Sequence, residues 1–86
     1  MKKVIKFYAD WCGPCRSYAP TFDKVSEKYS DQVEFFNINV DKDTDGLAAK
    51  YNVRSIPHTT LIKEDGTEVR KVGMLSETQL EELILS

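Results

Sequence analysis

Residues 3–20 read KVIKFYADWCGPCRSYAP. Residues 3–9 are apolar on both faces except at Lys6, which is typical of a central, buried β-strand. Residues 14–30 then repeat apolar side chains at helical spacing, with charged side chains on the opposite side, which predicts an amphipathic helix. Pro20 should kink this helix without ending it. The segment therefore predicts a strand and a helix joined by a tight turn that carries two cysteines.

The remainder of the chain predicts five further elements: a strand at 33–40, a short helix at 44–51, strands at 58–63 and 67–72 around Asp65-Gly66, and a helix from Ser76 onward. The order β-α-β-α-β-β-α predicts an α/β fold with a four-stranded mixed sheet and helices on both faces. The first two strands should pair in parallel, and the third should run antiparallel to the first. We expect residues 1–86 to form a single domain.

Polar residues mark the ends of the two later helices. Asp43 or Thr44 can cap the start of the short helix, and Asn52 can adopt the left-handed conformation that ends it. Ser76 and Gln79 have the spacing of a capping box at the start of the last helix. These caps support the predicted boundaries.

The composition is that of an ordinary globular protein, with 41% hydrophobic and 30% charged residues in 86. Twelve Lys and Arg against fourteen Asp and Glu give a net charge of -2, and the two signs are scattered, which argues against nucleic acid or an anionic membrane as a partner. No apolar run approaches the roughly 20 residues that span a bilayer, and the first residues do not resemble a signal peptide. We therefore expect a cytoplasmic protein.

The two cysteines, Cys12 and Cys15, lie where the first strand ends and the first helix begins. Free N–H groups and the positive end of the helix dipole favour a thiolate there, below the usual thiol pKa of about 8.5. Cys12 should be the nucleophile. Cys15 lies on the inward stripe of the helix, so it should be shielded and act as the resolving thiol.

This pair can perform thiol–disulfide exchange without a cofactor or a metal. The Cys12 thiolate attacks a disulfide in another protein, and Cys15 then attacks the mixed disulfide and releases the reduced substrate. Pro14 fixes a torsion between the sulfurs, and Gly13 lets a docking protein approach the backbone. The sequence thus favours a redox site.

Three other interpretations of the cysteines are weaker. A structural disulfide across two residues would close so short a loop that its entropic stabilisation is small. A zinc site would need two more ligands, and only His58 and scattered carboxylates remain. Incidental cysteines would explain neither their position nor the Gly-Pro between them.

The sequence resembles the thioredoxin family over nearly its whole length. The resemblance rests on FYADWCGPCRSYAP at 7–20, YNVRSIP at 51–57 and KVGMLSETQLEELI at 71–84. It implies a thioredoxin-like fold that lacks only the usual first strand and helix. Residues 33–40 should then form an exposed sheet edge. We expect a monomer, although such an edge leaves self-association open.

The resemblance also implies a substrate groove beside the cysteines. Pro57 matches the cis-proline that packs against the active-site cysteines in the family, and the backbone of Ile56 would pair with bound substrate as an added strand. A flat apolar surface around Cys12 would be formed by Trp11, Gly13, Pro14, Ile56, Pro57 and Val72-Gly73-Met74.

The chain departs from the family at Lys6, where thioredoxins usually place a buried aspartate that helps to move the proton of the resolving thiol. The lysine that often neighbours this aspartate aligns with Asn37. One interpretation extends Lys6 to the sheet edge without a catalytic role. The other places it under the cysteines, where it would modulate the thiol pKa as a neutral base or as a cation. His58 is most simply a partly exposed residue that opens a strand.

These features predict a thioredoxin-type reductase of protein disulfides that receives electrons from a thioredoxin reductase or an equivalent donor. A disulfide oxidase or isomerase on the same fold is an alternative. By family analogy Pro14 argues against it, since oxidases of this fold more often carry histidine at that position. A non-enzymatic binding module that uses the apolar surface is the alternative from another class.

Overall fold

The computed structural model of the protein describes all 86 residues. Its elements are β1 (Lys2–Tyr8), α1 (Gly13–Lys28), β2 (Val33–Asn39), a 3₁₀ turn (Val40–Lys42), α2 (Leu47–Lys50), β3 (His58–Ile62), β4 (Glu68–Val72) and α3 (Glu77–Leu85). The predicted order of strands and helices is confirmed. No helix combines the length and the hydrophobicity that crossing a bilayer requires.

The four strands form one mixed sheet in the order β2-β1-β3-β4. β1 pairs in parallel with β2 and antiparallel with β3, and β3 and β4 form an antiparallel hairpin, all as predicted. β1 is therefore a central strand. β2 lies at an edge of the sheet, which confirms the edge expected at residues 33–40.

Helices α1 and α3 cover one face of the sheet. Tyr18, Phe22 and Val25 of α1 pack with the apolar stripe of α3, which contains Leu80, Leu83 and Ile84. α1 continues through Pro20 without a break. This face holds the larger core cluster, so it positions the helix that carries both cysteines.

The opposite face is covered by the segment around α2. Ile5 and Phe7 of β1 pack with Tyr51, and Leu47 and Ala48 lie against the same cluster. Helices are therefore present on both faces, as the sequence predicts.

The short helix is shorter than predicted, because α2 contains only four residues and does not begin at residue 44. Gly46 adopts a left-handed conformation with φ of 69°, which interrupts the chain between the 3₁₀ turn and α2. The Asp43 carboxylate accepts hydrogen bonds from the N–H groups of Leu47 (2.9 Å) and Ala48 (2.7 Å), so it caps the helix from beyond this turn. Asn52 follows with φ of 58°, as expected.

The capping box of α3 forms as predicted. The N–H of Ser76 donates to the Gln79 side chain at 2.9 Å, and the N–H of Gln79 donates to the Ser76 hydroxyl at 3.1 Å. Two otherwise unpaired N–H groups are thereby satisfied at the helix start.

Candidate redox site

Cys12 and Cys15 form a disulfide at the start of α1, with their Cα atoms 5.2 Å apart. Cys12 is the N-cap residue of this helix, and Pro14 occupies its first turn, where a missing N–H is tolerated. The N–H of Cys15 points at the Cys12 Sγ at 3.2 Å. A negative charge on this sulfur would therefore meet a backbone donor and the positive end of the helix.

Both cysteines are shielded in the disulfide form. Cys12 is 6% exposed and Cys15 is 3% exposed, and they pack with Ala9, which immediately follows β1. The burial predicted for Cys15 is observed, but burial alone does not distinguish the two sulfurs.

The loop before β3 lies against Cys12. The Ile56-Pro57 peptide bond is cis, as the family resemblance implies, and Pro57 is buried. The carbonyl oxygen of Ile56 is 4.0 Å from the Cys12 Sγ. Neither the N–H nor the carbonyl of Ile56 takes part in a backbone–backbone hydrogen bond, so an extended peptide could pair with both.

Exposed apolar side chains lie near this loop and beside Cys12. Trp11, directly before Cys12, is 68% exposed, and Val72 and Met74 are also exposed. Between these last two, the N–H of Gly73 donates to the carbonyl of Pro57 at 2.8 Å, which joins the end of β4 to the cis-proline loop. This hydrogen bond thus connects two segments, the cis-proline loop and the turn at Gly73, that were predicted to form one surface around Cys12.

One interaction at this surface was not predicted from the sequence. The indole Nε1 of Trp11 donates a hydrogen bond of 2.8 Å to the Asp41 carboxylate in the 3₁₀ turn. Asp41 thereby holds the exposed ring. No local pattern indicates this contact, because 30 residues separate the partners.

Lys6 does not reach the sheet edge, so that placement of its side chain was wrong. It lies on the central strand, is only 4% exposed, and pairs in the sheet with Asn37 and Thr59. Burial lowers the pKa of Lys6, and the Asp23 carboxylate acts in the opposite direction. The side chain lies on the α1 face of the sheet, near the rings of Tyr18 and Phe22.

The expectation of a partly exposed His58 was also wrong, because this side chain is 2% exposed. Its Nε2 is 3.1 Å from the Thr60 hydroxyl, its Nδ1 has no hydrogen-bond partner, and its ring meets Phe7 edge-on. Burial lowers the pKa of His58, and the charge of Arg70 lowers it further. His58 is therefore a neutral core residue near neutral pH.

No group of three or more His, Cys, Asp or Glu side chains is arranged to hold a metal ion.

Comparison with known proteins agrees with this geometry. The sequence matches the thioredoxin family over residues 1–86. It is 38% identical to a thioredoxin of Borreliella burgdorferi, covering 94% of this chain and 68% of that protein, and 42% identical to thioredoxin 1 of Synechococcus elongatus, covering 90% and 71%. The X-ray structure of Fasciola hepatica thioredoxin superimposes with a TM-score of 0.84 at 41% identity, covering 98% of this chain and 78% of that one. The chain therefore belongs to the thioredoxin family and is a thiol–disulfide oxidoreductase.

Proposed function

We propose that this protein is a thioredoxin-type reductase of protein disulfides, with Cys12 as the nucleophile and Cys15 as the resolving thiol. The position of Cys12 at the N-cap of α1 is the observation that carries the proposal. In the reduced protein, the N–H of Cys15 and the helix dipole would stabilise a thiolate on Cys12. Cys15 lies beyond the cap, so it gains less from the same donors.

The reaction proceeds in two exchanges. The Cys12 thiolate attacks one sulfur of the substrate disulfide, and the other substrate sulfur leaves as a thiolate. Cys15 then loses its proton and attacks the Cys12 sulfur of the mixed disulfide, which releases the second substrate sulfur. Two electrons pass from the protein to the substrate, and the oxidised protein has the disulfide seen in the structure.

The surroundings of Cys12 favour a protein substrate. An extended segment can pair with the free N–H and carbonyl of Ile56, next to the Cys12 sulfur. Trp11, Val72 and Met74 supply apolar contacts without a deep pocket, and such a surface accepts many side chains. A thioredoxin reductase or an equivalent donor would then restore the dithiol.

The reducing direction can be tested by equilibrating the protein with glutathione mixtures. We expect a reduction potential near that of thioredoxins, about −270 mV. A potential close to those of disulfide isomerases or oxidases, about −180 mV or higher, would instead assign the protein to disulfide formation.

The decisive activity test is the reduction of insulin by dithiothreitol, followed by the turbidity of the precipitated chain. The parent protein should accelerate the reaction, and Cys12→Ser should abolish the acceleration. Reduced Cys15→Ser, mixed with insulin in the absence of dithiothreitol, should stop after one exchange and accumulate a mixed disulfide. Equal activity of the Cys12→Ser/Cys15→Ser variant and the parent would refute catalysis by these thiols and leave only a binding role.

We also infer that residues 1–86 act as one domain, as a monomer in the cytoplasm. The scattered charge argues against nucleic acid or anionic lipid as a partner. Sedimentation over a range of concentrations tests the monomer, because association through the β2 edge would raise the mass as concentration rises.

A further inference from the structure

A buried lysine without an ionic partner shares a cleft with Cys15. The Lys6 side chain makes no ion pair or hydrogen bond, although the residue is 4% exposed. It lines a cleft of about 380 Å³ together with Cys15, Asp23 and Asn37. Because an unpaired ammonium is costly to bury, its position in the same cleft as Cys15 invites a functional explanation.

Aromatic rings hold the Lys6 ammonium in place. Its Nζ is 4.8 Å from the ring centre of Phe22, 5.3 Å from that of Tyr8 and 5.9 Å from that of Tyr18. Ring faces attract cations, so these contacts compensate part of the lost hydration and favour the charged form. The rings form no hydrogen bond with the Lys6 ammonium, so the N–H donors of this group remain available toward the cleft.

We propose that the Lys6 ammonium is a positioning residue that stabilises the thiolate of Cys15 during the second exchange. This inference rests on the proposed function, in which Cys15 resolves the mixed disulfide. Burial alone would keep the Cys15 thiol protonated and therefore unreactive. A cation in the same cleft opposes that effect.

The Cys15 S–H bond breaks and its proton passes to water, while the sulfur keeps the electron pair beside the Lys6 charge. This pair forms the bond to the Cys12 sulfur, and the bond between Cys12 and the substrate breaks. The substrate sulfur leaves with that electron pair and takes a proton from solvent, so Lys6 keeps its proton throughout.

The other charges around the cleft do not replace Lys6. Asp23 and Asp10 would oppose a thiolate, and both residues are exposed to water. Arg16 is also exposed, and its guanidinium donates to the backbone carbonyl of Asp10 at 3.0 Å. Burial raises the pKa of Tyr18, so this phenol carries no charge near neutral pH. Lys6 is therefore the only buried cation that lines the cleft.

The test isolates Cys15 in a Cys12→Ser background and follows thiolate formation against pH by ultraviolet absorbance. Adding Lys6→Met, which is similar in length but uncharged, should move the Cys15 titration upward by at least about one pH unit, or tenfold less thiolate at a given pH. Lys3→Met is the matched control, because Lys3 is an exposed lysine of the same strand, and it should leave the titration unchanged.

An unchanged Cys15 titration in Lys6→Met would overturn the proposal. If Lys6→Met does not fold, Lys6→Gln takes its place, because it also removes the charge, and the same upward shift of the Cys15 titration is expected. With both cysteines present, Lys6→Met should reduce insulin about tenfold more slowly at pH 7 and recover at higher pH. A parent protein that fails to reduce insulin would refute the proposed function, whereas the Cys15 titration would remain a separate result.

Discussion

The hydrogen bond between Tyr18 and Thr59 joins the cysteine-bearing helix to the strand that follows the cis-proline. The two hydroxyl oxygens are 2.9 Å apart, and both side chains are fully buried. This contact links α1, three residues after Cys15, to β3, two residues after Pro57. Breaking this hydrogen bond should therefore lower the free energy of unfolding, because it joins the two segments whose relative position the site requires.

The expected magnitudes follow from the complete burial of both groups. Tyr18→Phe keeps the ring but leaves the Thr59 hydroxyl without a partner, which should lower the free energy of unfolding by about 1–3 kcal/mol. Thr59→Val leaves the Tyr18 hydroxyl unpaired and should have a similar effect. The double variant removes both polar groups, so it should lose only about 0.5–1.5 kcal/mol. At the middle of these ranges the two changes should thus couple by about 3 kcal/mol, and at their limits by no less than about 0.5 kcal/mol.

Urea denaturation of the four oxidised proteins measures this double-mutant cycle. In thermal unfolding, each kcal/mol should shift Tm by about 4–8 °C for a domain of this size. Tyr29→Phe is the control, because it removes a partly exposed hydroxyl that donates to Glu81 and that water can replace. Additivity of the two changes within about 0.5 kcal/mol would show that the buried hydrogen bond contributes nothing specific.

Three further predictions concern the helix caps and His58. Asp43→Ala should lower the free energy of unfolding by about 1 kcal/mol, because two N–H groups at the start of α2 lose their acceptors. Asp43→Asn should restore only part of this loss in urea denaturation, because its amide offers one acceptor oxygen in place of two. Ser76→Ala should cost about 1 kcal/mol at the start of α3, with a matching loss of helical circular dichroism on heating. Because the pKa of His58 is lowered in the folded protein, the unfolded chain binds a proton that the folded one does not as pH falls below about 6.5. The free energy of unfolding should therefore decrease as pH falls from 6.5 to the lower pKa of folded His58, by no more than about 1.4 kcal/mol per pH unit. In His58→Gln, this part of the dependence of the unfolding free energy on pH should be absent.

Local patterns were sufficient to predict most of the fold. The apolar run of the first strand, the Asp65-Gly66 turn and the Ser76 capping box each depend on neighbours within a few positions, and the structure confirms them. The start of α2 was predicted wrongly because the left-handed turn at Gly46 interrupts a pattern that otherwise reads as one helix. The helix-capping role of Asp43 survives, although it acts across that turn.

The environments of the polar core residues could not be predicted in the same way. Lys6 is buried because rings of α1 cover its side of the sheet, and His58 is buried because its ring packs on Phe7. Both environments are made by residues that are distant in sequence or belong to another strand. A polar residue in a strand does not itself indicate whether its face will be covered.

The register between β1 and β3 connects the two halves of the site. Phe7 pairs with His58, so the chain beyond this pair brings Ile56 toward Ala9, whose carbonyl accepts from the N–H of Cys12 at 3.2 Å. The same register pairs Lys6 with Thr59 on the α1 face. A slip of one residue would turn every side chain of one strand to the opposite face. Such a slip would move the Ile56 carbonyl away from Cys12, and it would also expose the neighbours of Lys6. The substrate groove and the buried lysine therefore depend on the same pairing of β1 with β3.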